Sequence, residues 1–172
     1  FLAAAVALTS QTFAANPSER VKASIEASRY DRSSARELKS EEKSLFGPKS
    51  GRYRYDARML RAAEIAAARA RKHSTKRCWR YVKGALVDAK AIDSRPDTAY
   101  AKQAAAELTK EYGFRKLPVD CPYEAPVGSV LVYGGRGAGH VEFRTKKGFV
   151  SDFFSLTPSK RPFIGAFVKP AS

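Results

Sequence analysis

Histidine, cysteine, methionine and tryptophan are scarce in this chain: two, two, one and one among 172 residues. With so few imidazole and thiol ligands, at spacings that match no zinc pattern, a metal site is not expected. Two cysteines also exclude a disulfide-dense scaffold and leave one possible bridge, Cys78 to Cys121. Past the first residues, no segment approaches the roughly 18 apolar residues of a transmembrane helix, so no integral membrane span is expected. Acidic side chains are the other shortage. Asp and Glu number 17 against 32 Lys and Arg, a formal net charge of +15. That excess points to an anionic partner such as a nucleic acid, a membrane surface or an acidic cell-wall polymer. The basic residues are scattered and form no recognition helix or aromatic sheet face, so nucleic acid is not the expected partner.

The chain divides by composition into three parts. Its start, "FLAAAVALTSQTFAAN", has an apolar stretch from Phe1 to Leu8 and a small-x-small site at Thr12-Phe13-Ala14. This predicts a signal-peptide remnant over residues 1–14 and export to a secreted or periplasmic location; the alternative is a short apolar helix of the folded protein. Residues 15–55 are rich in Ser, Arg, Lys and Glu and poor in large apolar side chains, which predicts a flexible basic arm. Residues 56–172 carry the periodic patterns of a single folded domain, expected to be a monomer.

Within that domain helices come first. "YDARMLRAAEIAAARARK" sets Met59, Leu60, Ala63 and Ile65 to Ala67 near helical spacing, with Asp56 as cap. A second helix is expected over about 75–90, capped by Ser74 or Thr75 and burying Trp79, Val82 and Leu86. A third opens near Ser94 and Pro96 and stops at Gly113. After Leu117 the period changes to two. "GSVLVYGG", "GHVEFRT", "GFVSDFFS" and "PFIGAFVK" predict four strands, and helices followed by strands predict an α+β fold with an antiparallel sheet.

The chemistry gathers on these elements. A loop of Thr145-Lys146-Lys147 would pair Arg144 with Gly148 and His140 with Asp152. His140, Glu142 and Asp152 would then share one sheet face, an imidazole opposite a carboxylate, with Val141, Phe143, Phe149, Ser151 and Phe153 on the other. Such a pair suits a general base and its orienting group. Cys78 supplies a nucleophile in the first turn of the second helix, where the macrodipole favours an anion and Lys76, Arg77 and Arg80 are close in sequence. Blander readings stand beside these. Cys78 could be a buried apolar residue or be bridged to Cys121, His140 could cap a turn, and Asp152 could be solvated with Glu142 as orienter in its place. Cys121 precedes a proline on a loop and lacks a helix start, and His73 reads as a cap-region residue.

The ordered set "RCWRYVKGAL", "APVGSVLVYGG", "GHVEFR" and "GFVSDF" resembles the NlpC/P60 and CHAP group of bacterial cell-wall cysteine peptidases and amidases, over roughly residues 74–168. The resemblance implies a papain-like fold, with helices packed on a small antiparallel sheet of about four to six strands. It also implies Cys78 as nucleophile, His140 as base and Asp152 as third catalytic residue. Amide bonds of peptidoglycan stem peptides, or another anionic cell-wall polymer, would be the target, and no cofactor is required. Ser129 stands where the group commonly has Asp, Arg77 and Trp79 flank the cysteine in place of Asp and Ser, and no Tyr-x-x-Gly-Gly segment lies upstream. The Cys78 backbone N–H is the first candidate oxyanion donor, with Tyr53 or Tyr55 as candidates for the second. A transglutaminase-like acyltransferase shares the Cys, His, Asp order, and a non-catalytic basic wall-binding module is the other alternative.

Overall fold

The computed structural model describes residues 54–171. The signal segment and nearly all of the basic arm therefore lie outside the described residues. Among the described residues three α-helices, α1 (Arg58–Arg69), α2 (Cys78–Asp88) and α3 (Ala104–Tyr112), precede a six-stranded antiparallel sheet. Its strands are β1 (Arg115–Lys116), β2 (Val130–Tyr133), β3 (His140–Arg144), β4 (Phe149–Val150), β5 (Phe154–Ser155) and β6 (Phe163–Val168), in spatial order β1-β6-β2-β3-β4-β5. The fold is α+β, as the order of helices and strands predicted, and papain-like, as the resemblance implied. No helix among the described residues is long and apolar enough to cross a membrane.

Two apolar layers hold the sheet. On one face Val130, Val132, Val141, Phe143, Val150 and Phe167 pack against the helices through Met59, Ala63, Ala66, Val82, Leu86 and Leu108. The buried positions of α1, Met59, Ala62, Ala63 and Ala66, recur at three- and four-residue spacing, which makes that helix half core and half solvent-facing. On the other face Leu131, Tyr133, Phe149, Ala166 and Val168 are covered by Leu117, Val119 and Ala125 from the segment between β1 and β2.

The helices depart from expectation at their starts. Asp56 is not the N-cap of α1: Ala57 holds that position with no side-chain cap bond, and Asp56, one residue earlier, accepts the Arg58 N–H on Oδ1 at 2.9 Å. Neither Ser74 nor Thr75 caps α2, which begins at Cys78 with no side-chain cap from its own N-cap residue. α3 begins ten residues later than Ser94, after a 3₁₀ turn over Ala101–Gln103. The reason is a competing set of bonds. Glu107 Oε1 accepts the N–H groups of Asp97 at 2.5 Å and Thr98 at 3.1 Å. The Thr98 carbonyl accepts Trp79 Nε1 at 3.1 Å and Lys83 Nζ at 2.6 Å. Those backbone groups are thus satisfied in an irregular segment. Gly113 ends α3 in the left-handed region, φ 70°, as its position predicted.

The expected hairpin register is off by one. Arg144 pairs with Phe149 and Phe143 with Val150, so Gly148 belongs to the turn. Thr145 makes the longer turn: its N–H and hydroxyl both donate to the Gly148 carbonyl, at 2.8 and 2.9 Å, and its oxygen accepts the Gly148 N–H at 3.1 Å. The single strand expected over 148–155 also folds back on itself. β4 and β5 pair as Phe149 with Ser155 and Val150 with Phe154, and residues 151–153 form the bend between them. Because a one-residue slip exchanges faces, Phe149 lies in the second core rather than against the helices, and Asp152 leaves the ladder opposite His140.

Candidate active site

Glu142 is the residue that meets His140. Two apart on β3, the two side chains share a face whatever the turn does. His140 Nε2 lies 3.1 Å from Glu142 Oε2. The other carboxylate oxygen accepts the Tyr133 hydroxyl at 2.7 Å and the Ser159 N–H at 3.2 Å. Glu142 and Tyr133 are buried. Burial pushes the Tyr133 phenol far above its ordinary pKa, and the Glu142 charge and hydrogen bond push it further, so the phenol is a neutral donor.

Cys78, at the start of α2, lies close enough to His140 to act on the ring's ionisation. Nε2 is engaged by the carboxylate, so Nδ1 is the ring nitrogen left for a second partner. Burial of the ring favours the neutral form. The interactions with Cys78 and Glu142 outweigh burial and raise the imidazole pKa to about 9. The arrangement therefore holds an imidazolium between a sulfur and a carboxylate near neutral pH. Both cysteines are free and half-buried, and they do not form the bridge that composition allowed.

Asp152 occupies a different place from the one expected. It is fully buried, and no hydrogen bond joins it to His140. Its Oδ2 accepts the Thr75 N–H at 2.5 Å, the Thr75 hydroxyl at 2.8 Å, and the Ser74 hydroxyl and Arg77 N–H at 3.3 Å each. Ser151 Oγ reaches its other oxygen at 3.1 Å. Lys76, between the two donating amides, has φ 59°, and this left-handed step turns neighbouring N–H groups into a small anion-binding nest. Burial alone would raise the Asp152 pKa; the Thr75 and Arg77 hydrogen bonds win and hold it below the ordinary value. Asp152 thus fastens the loop ahead of Cys78 to the β4–β5 bend, reinforced by the Arg71 N–H donating to the Asp152 carbonyl at 2.9 Å. The physical cause of the misplacement is the register slip at Thr145 to Gly148.

The glycine loop before His140 has a packing reason. Gly139 has φ 76°, and a Cβ there would lie 2.6 Å from the Tyr133 carbonyl oxygen and 2.8 Å from Lys102 Cβ. The Lys102 N–H donates to the Ala138 carbonyl at 3.0 Å, so the loop is pressed against the 3₁₀ turn ahead of α3. Of the other candidates, His73 is exposed in the loop before α2. The Tyr55 hydroxyl donates to the Val127 carbonyl at 2.7 Å, which gives it a structural bond, and Tyr53 lies outside the described residues. Beside His140 opens a cleft of about 330 Å³ whose walls include Ser74, Glu142, Phe153, Thr157 and Arg161.

The chain matches no protein-family model and no curated protein sequence. Among solved structures it is similar to a chain of the native type VI effector–immunity complex Tae3–Tai3 from Ralstonia pickettii, with a TM-score of 0.52 and 23% identity over 64% of this chain and 98% of that one. A selenomethionine form of the same complex gives a TM-score of 0.47 and 26% identity over 56% and 82% of the two chains. The first likeness is one of fold.

Proposed function

We propose that this chain is an exported thiol hydrolase that cleaves amide bonds in peptidoglycan, as an endopeptidase or amidase. One observation carries the reading: His140 is held between the Cys78 sulfur and the buried Glu142 carboxylate. In the proposed mechanism the Cys78 thiolate attacks the scissile carbonyl carbon, and the Cys78 backbone N–H, in the first turn of α2 where amides have no partner within the helix, faces the developing oxyanion. The His140 imidazolium gives its proton to the leaving amine as the carbon–nitrogen bond breaks. The neutral ring then takes a proton from water as its oxygen attacks the thioester carbon; the carbon–sulfur bond breaks, the carboxylic acid leaves, and the Cys78 thiolate and His140 imidazolium are restored. Glu142 replaces Asp152 as the group that orients the imidazole, and Asp152 positions the nucleophile's loop. No cofactor enters the scheme. Peptidoglycan as substrate rests on the family resemblance and agrees with the +15 charge, since stem peptides carry carboxylates.

The test is release of new amino groups from purified sacculi. Wild type should release them, and Cys78→Ser and His140→Ala should lower the rate by about 10²-fold or more. Iodoacetamide should label Cys78 ahead of Cys121 near neutral pH. Hydrolysis by Cys78→Ser at the wild-type rate would end this mechanism.

A further inference from the structure

The cleft beside His140 has a charge pattern that bears on what enters it. Glu142 is its carboxylate, and both oxygens are already taken by Tyr133, His140 and the Ser159 N–H. Arg161 brings a cation to the same cleft. Its guanidinium is held by a backbone carbonyl, with Nη1 donating to Arg136 O at 2.8 Å, and no carboxylate among the described residues pairs with it. The segment that carries it is fixed at several points. The Ser159 N–H is bonded to Glu142, the Arg161 N–H reaches Ser159 Oγ at 3.4 Å, and the Pro162 carbonyl accepts the Gly134 N–H at 2.8 Å. A guanidinium presents five N–H donors, so a single carbonyl leaves most of the fork free.

We infer that Arg161 is a specificity residue that binds a free carboxylate on the substrate residue flanking the scissile amide. This rests on the hydrolase reading above and narrows it to carboxylate-bearing peptides. Arg161 and His140 line the same cleft, so a substrate whose scissile amide is served by His140 can carry its neighbouring group toward Arg161. A planar carboxylate matches the free edge of the fork, and a neutral amide in its place gives up the charge-assisted bond. Arg161 is exposed. Solvent screening therefore limits the expected preference to about tenfold.

The experiment uses soluble peptidoglycan fragments in two forms, native and with free carboxylates converted to amides by carbodiimide and ammonia. The full chain is compared with Arg161→Gln, Arg161→Lys and, as a control for loss of one charge, Lys147→Gln on the exposed β3–β4 turn. Wild type and Lys147→Gln should prefer the native form by about tenfold in kcat/KM. Arg161→Gln should lose the preference while its rate on the amidated form stays within about twofold of wild type, and Arg161→Lys should fall between. Equal loss on both forms in Arg161→Gln would reduce Arg161 to a structural role and overturn the inference. So would an unchanged preference in that variant, or cleavage of both forms by wild type at the same rate. Cleavage of neither form by wild type would remove the hydrolase reading and the subsite together.

Discussion

Replacing Glu142 with Gln changes one oxygen for one NH₂ and should disable the site without unfolding it. Glu142 Oε1 accepts two bonds, from the Tyr133 hydroxyl at 2.7 Å and the Ser159 N–H at 3.2 Å, and the backbone N–H can only donate. The amide oxygen of the variant therefore stays at that position, which turns its NH₂ toward His140 Nε2. An NH₂ cannot accept, so Nε2 must carry no proton and the ring is driven to the tautomer protonated on Nδ1. That nitrogen, the one left for a second partner, can no longer act as a base, while an imidazolium would set an N–H against the NH₂. General acid–base catalysis by a positioned histidine contributes about 10²- to 10⁴-fold, so kcat should fall by a factor in that range. The pH profile is the sharper readout. In the proposed mechanism the wild-type imidazolium, with its pKa raised to about 9, should be lost as pH rises through that value and set the alkaline limb of kcat/KM. Without the carboxylate the limb should move down by about one pH unit or more. Stability carries the same sign. A pKa raised from the ordinary 6.5 stabilises the fold below 6.5 and ceases to do so as pH rises through about 9, so wild type should lose stability across that window and the variant should lose less. Hydrolysis of peptidoglycan fragments, iodoacetamide labelling of Cys78 and denaturant titration, each across pH, give three independent measurements. An alkaline limb at its wild-type position, with kcat within about threefold, would refute the role assigned to Glu142.

Asp152→Asn should act on the fold instead of the pH profile: the loss of charged hydrogen bonds at Thr75 and Arg77 costs about 1–3 kcal/mol. Because the Asp152 pKa is lowered on folding, its contribution is present above the ordinary value near 4 and lost as pH falls through the lowered one. Wild type should therefore show an acid destabilisation that the variant lacks in denaturant titrations. Gly139→Ala places a Cβ 2.6 Å from the Tyr133 carbonyl oxygen, whereas Gly137→Ala, with nothing within 4 Å, meets only the left-handed backbone cost of about 1–2 kcal/mol. Thermal melts should rank Gly139→Ala well below Gly137→Ala, and hydrolysis should fall only in the former, whose neighbour is His140. Lys76→Gly relieves a left-handed residue at φ 59° but adds chain entropy to the unfolded state; the net gain is about 0–1 kcal/mol by the same melts.

How much was legible in the sequence depended on whether a position answers to local or distant geometry. Met59, Ala63 and Ala66 bury together because helical spacing is a local property, and Gly113 stops α3 because a glycine takes the left-handed conformation there without a Cβ penalty. The alternation of β2 and β3 held for the same reason: Val141 and Phe143 face the helices, and His140 and Glu142 do not. Cross-strand placement required the turn to be counted correctly, and Thr145 bonding to Gly148 added one residue that nothing in "RTKKGF" announces. The fold-back at residues 151–153 was hidden too, because Ser151 and Asp152 carry no Gly or Pro signal. α3 starts late because Glu107 satisfies amides ten and nine residues before it, a contact that propensity does not contain.

That contrast bears on the site itself. The relation of His140 to Glu142 is separation by two on one strand, and no change of turn can undo it. Its relation to Asp152 needed a register, and registers slip. A base that must keep one tautomer is better oriented by a residue whose position follows from the strand alone. The slip leaves Asp152 where a fully buried carboxylate has strong local demand, among the amides around left-handed Lys76 just ahead of Cys78. In the proposed mechanism the two carboxylates divide the work: Glu142 sets the proton position on the base, and Asp152 sets the position of the nucleophile's loop. That division predicts that Glu142→Gln and Asp152→Asn combine additively in stability, since they share no hydrogen-bond partner. In kcat they should combine less than additively, since an imidazole in the wrong tautomer gains little from a well-placed thiol.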